Sequence, residues 1–190
     1  MTTAGRLLRQ ARRASAVSQR RLAAVSPEYQ SSIADFERGK HDPGVDRLDR
    51  IVGALGYSVT VLPTRRRTVA DAADAVYDWV RRGDGDRAYR ELLQLNDDLA
   101  AEHGALRVAL AVGPPAPVGD RRLDAFIAAL VEHHLTAEQL PVPPWTSEPA
   151  RYLEEPWVVD EFASDEIGAV TPESFRRHNV FIDPSELASA

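Results

Sequence analysis

The chain has 190 residues and 44% hydrophobic content, enough for one ordinary core or for a small domain joined to a second one. It contains no cysteine, which excludes disulfides, thiolate metal sites, zinc fingers and thiol nucleophiles. No apolar run nears the roughly 20 residues that span a bilayer, and MTTAGRLLRQ lacks the apolar stretch of a secretion signal, so a cytoplasmic protein with no membrane partner is expected.

The formal charge of −6 hides a division along the chain. Residues 1–67 hold 13 Arg/Lys against 6 Asp/Glu, a formal +7, whereas residues 68–190 hold 10 against 23, a formal −13. Clustered positive charge is rewarded where it touches phosphate, because condensed counterions are released. A basic head before an acidic body therefore predicts two modules with different partners.

In chain order, Leu7, Leu8 and Ala11 recur at helical spacing and predict a first amphipathic helix whose outer face carries Arg6, Arg9 and Arg13. Ser18 stands where a hydroxyl caps a short second helix, Gln19 to Val25. Ser26-Pro27-Glu28 interrupts the pattern, and a third helix, Tyr29 to Arg38, resumes it through Ile33 and Phe36. Pro27 fits the first helical position, so this helix is expected to begin at or just after it, and Gly39 ends it. Val45, Leu48, Ile51, Val52 and Leu55 form the stripe of a fourth helix that Gly56 stops.

Tyr57 to Leu62 alternates and is rich in β-branched residues, which predicts a strand. A lone strand at the end of a helical domain needs a partner for its backbone groups, and the same strand of a second subunit supplies one, so a homodimer is expected. Arg65-Arg66-Arg67 reads as a basic linker.

Beyond it, Val69, Ala72, Ala73, Val76, Trp79 and Val80 follow helical spacing, as do Arg87 to Glu102 and Leu123 to His133. Gly83-Asp84-Gly85-Asp86 is read as a turn and helix cap, since it lacks the Lys-Ser/Thr of a phosphate loop and the ligand ladder of a calcium loop. Prolines at 141, 143, 144, 149 and 156 break any long element, and the surrounding Trp145, Tyr152 and Trp157 predict an ordered loop wrapping the helices. Val180-Phe181-Ile182 is expected to dock as a strand or extended segment. The fold class is thus mainly α: a four-helix N-terminal domain ending in a dimerising strand (1–63), a basic linker (64–68), and an acidic helical domain with an irregular Pro/Trp-rich C-terminal region (69–190).

No catalytic or metal site is expected. None of the five histidines pairs at i, i+4, no serine stands in a nucleophile elbow, and acidic pairs such as Glu154-Glu155 and Asp160-Glu161 signify solvation. No cofactor is implied.

VSQRRLAAVSPEYQSSIADFERGK resembles the phage-repressor-like, or XRE, helix-turn-helix family through Val17, Ser18, Gln19, Leu22, Ala23, Ile33, Phe36, Glu37 and Gly39 at unbroken spacing. Where that family usually has Gly in the turn, this chain has Pro27. The resemblance covers about the first 60 residues and implies a transcriptional regulator that binds double-stranded DNA with its third helix in the major groove. By alignment it implies base reading by Gln30, Ser31 and Asp35, the amide of Gln30 matching adenine, and phosphate contacts by Gln19, Tyr29, Arg38 and Lys40. It also implies a buried salt bridge between Arg12 and Glu37. The arrangement PPW…ARYLEEPWVV…TPESFRRHNVFIDPSEL loosely resembles antitoxins encoded beside abortive-infection-type nucleotidyltransferase toxins, which would give the acidic domain a protein toxin as partner; the alternative is an ordinary repressor with a ligand-sensing or oligomerisation domain.

Overall fold

The computed structural model describes residues 2–160, 162, 164 and 166–188, so Glu161 of the acidic pair noted above lies outside the described residues. The chain is mainly helical and forms two compact units, residues 1–63 and 64–190.

The first unit packs α1 (Thr3–Ala14), α2 (Gln19–Val25), α3 (Gln30–Arg38) and α4 (Val45–Gly53) around Leu8, Ala11, Leu22, Ile33, Phe36, Leu48, Ile51 and Val52. Burying each of the larger aliphatics contributes roughly 1.5–3 kcal/mol. Two stripe positions differ from expectation: Leu7 and Val45 are exposed, because Ala4, Leu8 and Ala11 form the inner face of α1 and Val45 is the first residue of α4. Thr2 and Ser18 cap α1 and α2, accepting from the backbone N–H of Gly5 and Arg21. Gly5 lets α1 approach α3 closely, since a Cβ there would lie 2.1 Å from the Phe36 carbonyl oxygen.

The expectation that α3 begins at Pro27 is corrected. Ser26 takes an extended backbone (φ −115°, ψ 165°), as a residue before proline should, and the helix begins only at Gln30 with Tyr29 as its N-cap. Gly39 ends α3 with φ 73°, as read from the sequence. Helix α4 stops at Gly53, and Gly56 (φ 83°) closes the turn that follows. Residues 57–62 form no strand, helix or turn and have no ladder partner among the described residues, so the strand expected there is not seen within one chain.

In the second unit α5 (Val69–Arg81), opened by a Thr68/Asp71 capping box, and α6 (Gly85–Ala100), capped by Asp84, form a hairpin across a three-residue turn. Helix α7 (Gly104–Ala111), not foreseen from the sequence, leads to α8 (Arg121–Ala137), which is buried from Asp124 through Glu132. A one-sided amphipathic reading of Leu123 to His133 is thereby corrected, since α6, α7 and the C-terminal segment all pack on α8. That segment comprises three 3-10 turns (Pro144–Ser147, Pro149–Arg151, Pro184–Leu187), α9 (Ile167–Val170), α10 (Glu173–Arg177) and the parallel pair β1 (Trp157–Val158) and β2 (Val180–Phe181). Trp145 is buried and donates its indole N–H to the Ala111 carbonyl at 2.9 Å, and Phe126 meets Phe175 edge-to-face.

Residues 64–68 are not a free basic linker. Arg67 donates to Glu91 Oε2 (2.7 Å) and Asp98 Oδ2 (3.2 Å) on α6, and Thr64 donates to Glu102 Oε1, so the stretch folds as the first part of the second unit.

Candidate nucleic-acid interface

Helices α2 and α3 are joined by residues 26–29, and the buried side chains of α3, Ile33, Phe36 and Glu37, fix which face it turns outward. Gln30 and Ser31 are exposed in its first turn. Tyr29 precedes them, 82% exposed and making no side-chain cap bond, so the first N–H groups of α3 have no capping side chain.

Asp35 Oδ1 accepts from Arg38 Nη2 at 2.6 Å and lies 3.5 Å from Lys40 Nζ, while Arg38 Nε donates to the Ala34 carbonyl. The Arg38 hydrogen bond, with both cations, holds the Asp35 carboxyl below its ordinary range. The three residues assigned from sequence to different tasks are thus one cluster at the end of α3, with Asp35 already engaged.

Glu37, 2% exposed, is the hub behind that surface. Arg12 donates through Nε to Oε1 (2.6 Å) and through Nη2 to Oε2 (2.9 Å), and Gln19 Nε2 donates to Oε2 (2.9 Å). Arg9 Nη2 donates to the Glu37 carbonyl at 2.5 Å. Burial pushes the Glu37 carboxyl up, but the hydrogen bonds from Arg12 and Gln19 and the charges of Arg12 and Arg9 outweigh it, leaving it below its ordinary range. Gln19, assigned a phosphate contact, therefore has one amide N–H engaged inside the domain.

Two further residues matter that the sequence does not mark. Arg9, on the outer face expected of the first helix, braces the end of α3, and Arg47, beside the apolar stripe of α4, pairs with Glu28 in the turn. Spacing along one helix carries no signal for either, because Glu37 lies on α3 and Glu28 in the turn before it.

Short helices, a capped α2, an exposed first turn of α3 and cations at its end define a helix-turn-helix domain of the kind that DNA-binding transcriptional regulators use. A family model described as helix-turn-helix matches residues 8–62. No curated protein and no solved structure matches the chain. Among the described residues no helix is long and apolar enough to cross a membrane.

Proposed function

We propose that the protein is a sequence-specific regulator that binds operator DNA as a homodimer, with α3 in the major groove. Gln30 and Ser31 read base edges, and Tyr29, Arg38, Lys40 and the remaining amide groups of Gln19 meet phosphates. Asp35 holds Arg38 and Lys40 in place instead of reading cytosine, since its carboxylate already accepts from Arg38 and is ion-paired with Lys40. The observation that carries this reading is the exposure of Gln30 and Ser31 on a helix whose opposite face is locked by Ile33, Phe36 and Glu37.

A second copy supports itself on residues 57–62. Val61 is 93% exposed, Tyr57 and Val59 are exposed beside it, and antiparallel pairing across a two-fold axis would satisfy their backbone groups. Recognition helices about 34 Å apart then call for two half-sites one helical turn apart.

For the second unit we favour a protein partner with a basic surface, the antitoxin role that the sequence resemblance implies. Residues 64–190 carry 13 Arg/Lys against 23 Asp/Glu, a formal −10. A pocket there is lined by Asp160, Asp183 and Glu186 beside Ile167 and Phe181, and three carboxylates suit an apolar effector poorly.

The test is binding of the purified protein to its own promoter at several salt concentrations. Salt-sensitive, promoter-selective binding supports the regulator, and none refutes it. Rescue of growth when the chain is co-expressed with the product of an adjoining toxic gene supports the antitoxin role; the absence of any such gene favours the plain repressor.

A further inference from the structure

The turn between α2 and α3 lacks the glycine that would give it a left-handed residue, and none of residues 26–29 has positive φ. Something other than backbone permissiveness must therefore fix how the chain enters α3. Glu28, in the middle of that turn, has a side chain only 6% exposed. Its two oxygens accept from Arg47 of α4, Oε1 from Nε at 2.5 Å and Oε2 from Nη2 at 2.6 Å. The same guanidinium lies over the Phe36 ring, 4.8 Å from its centroid, so one planar group touches both the turn before α3 and the buried face of α3.

We propose that Arg47 is a positioning residue for DNA reading: clamped between Glu28 and Phe36, it sets the position of Tyr29 and Gln30 at the start of α3, and with it operator specificity. The proposal rests on α3 being the reading helix. A bidentate, stacked guanidinium restrains both translation and rotation of the turn, whereas a lysine ammonium would keep the charge and lose both restraints. Base contacts depend steeply on such placement, while phosphate contacts tolerate a small shift.

The experiment compares wild type, Arg47→Lys and Glu28→Gln in the full chain, measuring affinity for the promoter and for a random duplex of equal length. Amide resonances of the free proteins are recorded alongside. We expect Arg47→Lys to lower the promoter-to-random ratio about tenfold with the salt slope unchanged, Glu28→Gln to do so to a lesser extent, and both to shift the amides of Glu28 to Ser31. An unchanged ratio, or equal loss on both duplexes, would overturn the proposal. If the wild type itself shows no promoter preference, the reading helix is wrong, and the amides decide the clamp alone: displacement confined to 28–31 supports it, and no displacement ends it.

Discussion

Arg12 grips both oxygens of Glu37, at 2.6 and 2.9 Å, and so ties the last full turn of α1 to the last turn of α3 inside the first unit. A carboxylate that is 2% exposed is tolerable only while its donors stay.

Arg12→Ala should destabilise the first unit by about 3 kcal/mol, since Gln19 and Arg9 leave the Glu37 charge under-compensated. Because the Glu37 carboxyl is held below its ordinary range, the stabilisation it gives is complete above the unfolded-chain value and is lost as pH falls through the folded one. Thermal unfolding of wild type against pH should show this acid loss, and the variant should show less of it. A variant with the wild-type midpoint at neutral pH would remove the bridge from the account.

His134 lies in the second unit, mostly buried, and its ring donates from Nε2 to Asn96 Oδ1 at 2.9 Å, Asn96 itself donating to the Leu187 carbonyl. Burial, with the nearby charges of His133 and Arg107, pulls its pKa down to about 4. The folded chain keeps this ring neutral while the unfolded chain protonates it near 6.5, so stability is full above 6.5 and falls by about 3 kcal/mol as pH drops toward 4. His133, also pulled down by burial, adds in the same direction. His134→Gln should flatten the dependence of the unfolding midpoint between pH 7 and 5.

Where α1 packs on α3, Gly5→Ala would drive a methyl group to 2.1 Å from the Phe36 carbonyl oxygen, so the helices must separate. A loss of about 2 kcal/mol is expected, read as a lower unfolding midpoint. Equal midpoints would mean the approach is looser than described.

Thr60→Pro tests the second copy. Proline removes an N–H and fixes φ at residue 60, while the Val59 N–H, which donates to Asp49 Oδ1 at 2.8 Å, is left untouched. Sedimentation should show wild-type dimers and variant monomers at the same concentration. A dimeric variant would place the interface elsewhere.

Where packing is local, the sequence was legible. Ser18, Gly39, Asp84 and the stripe Leu48-Ile51-Val52 announce caps and buried faces within a few residues of one another. The start of α3 was not, because Pro27 is sterically acceptable both as a first helical residue and in the turn, and the partner of Glu28, Arg47, lies nineteen positions away. The second unit was legible as far as α5, α6 and α8. Its C-terminal segment is held by long-range polar bonds: His178 lies against Glu132 and the Arg151 carbonyl, Arg151 donates to Asp124 at 2.8 Å, and none of these leaves a periodic trace. Of the candidate DNA contacts, Gln30 and Ser31 came from the family resemblance and are exposed in the first turn of α3, whereas the pairing of Asp35 with Arg38 and Lys40 depends on side-chain conformations that neither period nor resemblance specifies.

The most direct measurement compares wild type with Gln30→Ala on the promoter and on a random duplex at one salt concentration. If α3 reads bases, the variant should lose roughly 1–3 kcal/mol on the promoter and almost nothing on the random duplex. Equal losses on both, or no loss on either, would contradict base reading by this helix.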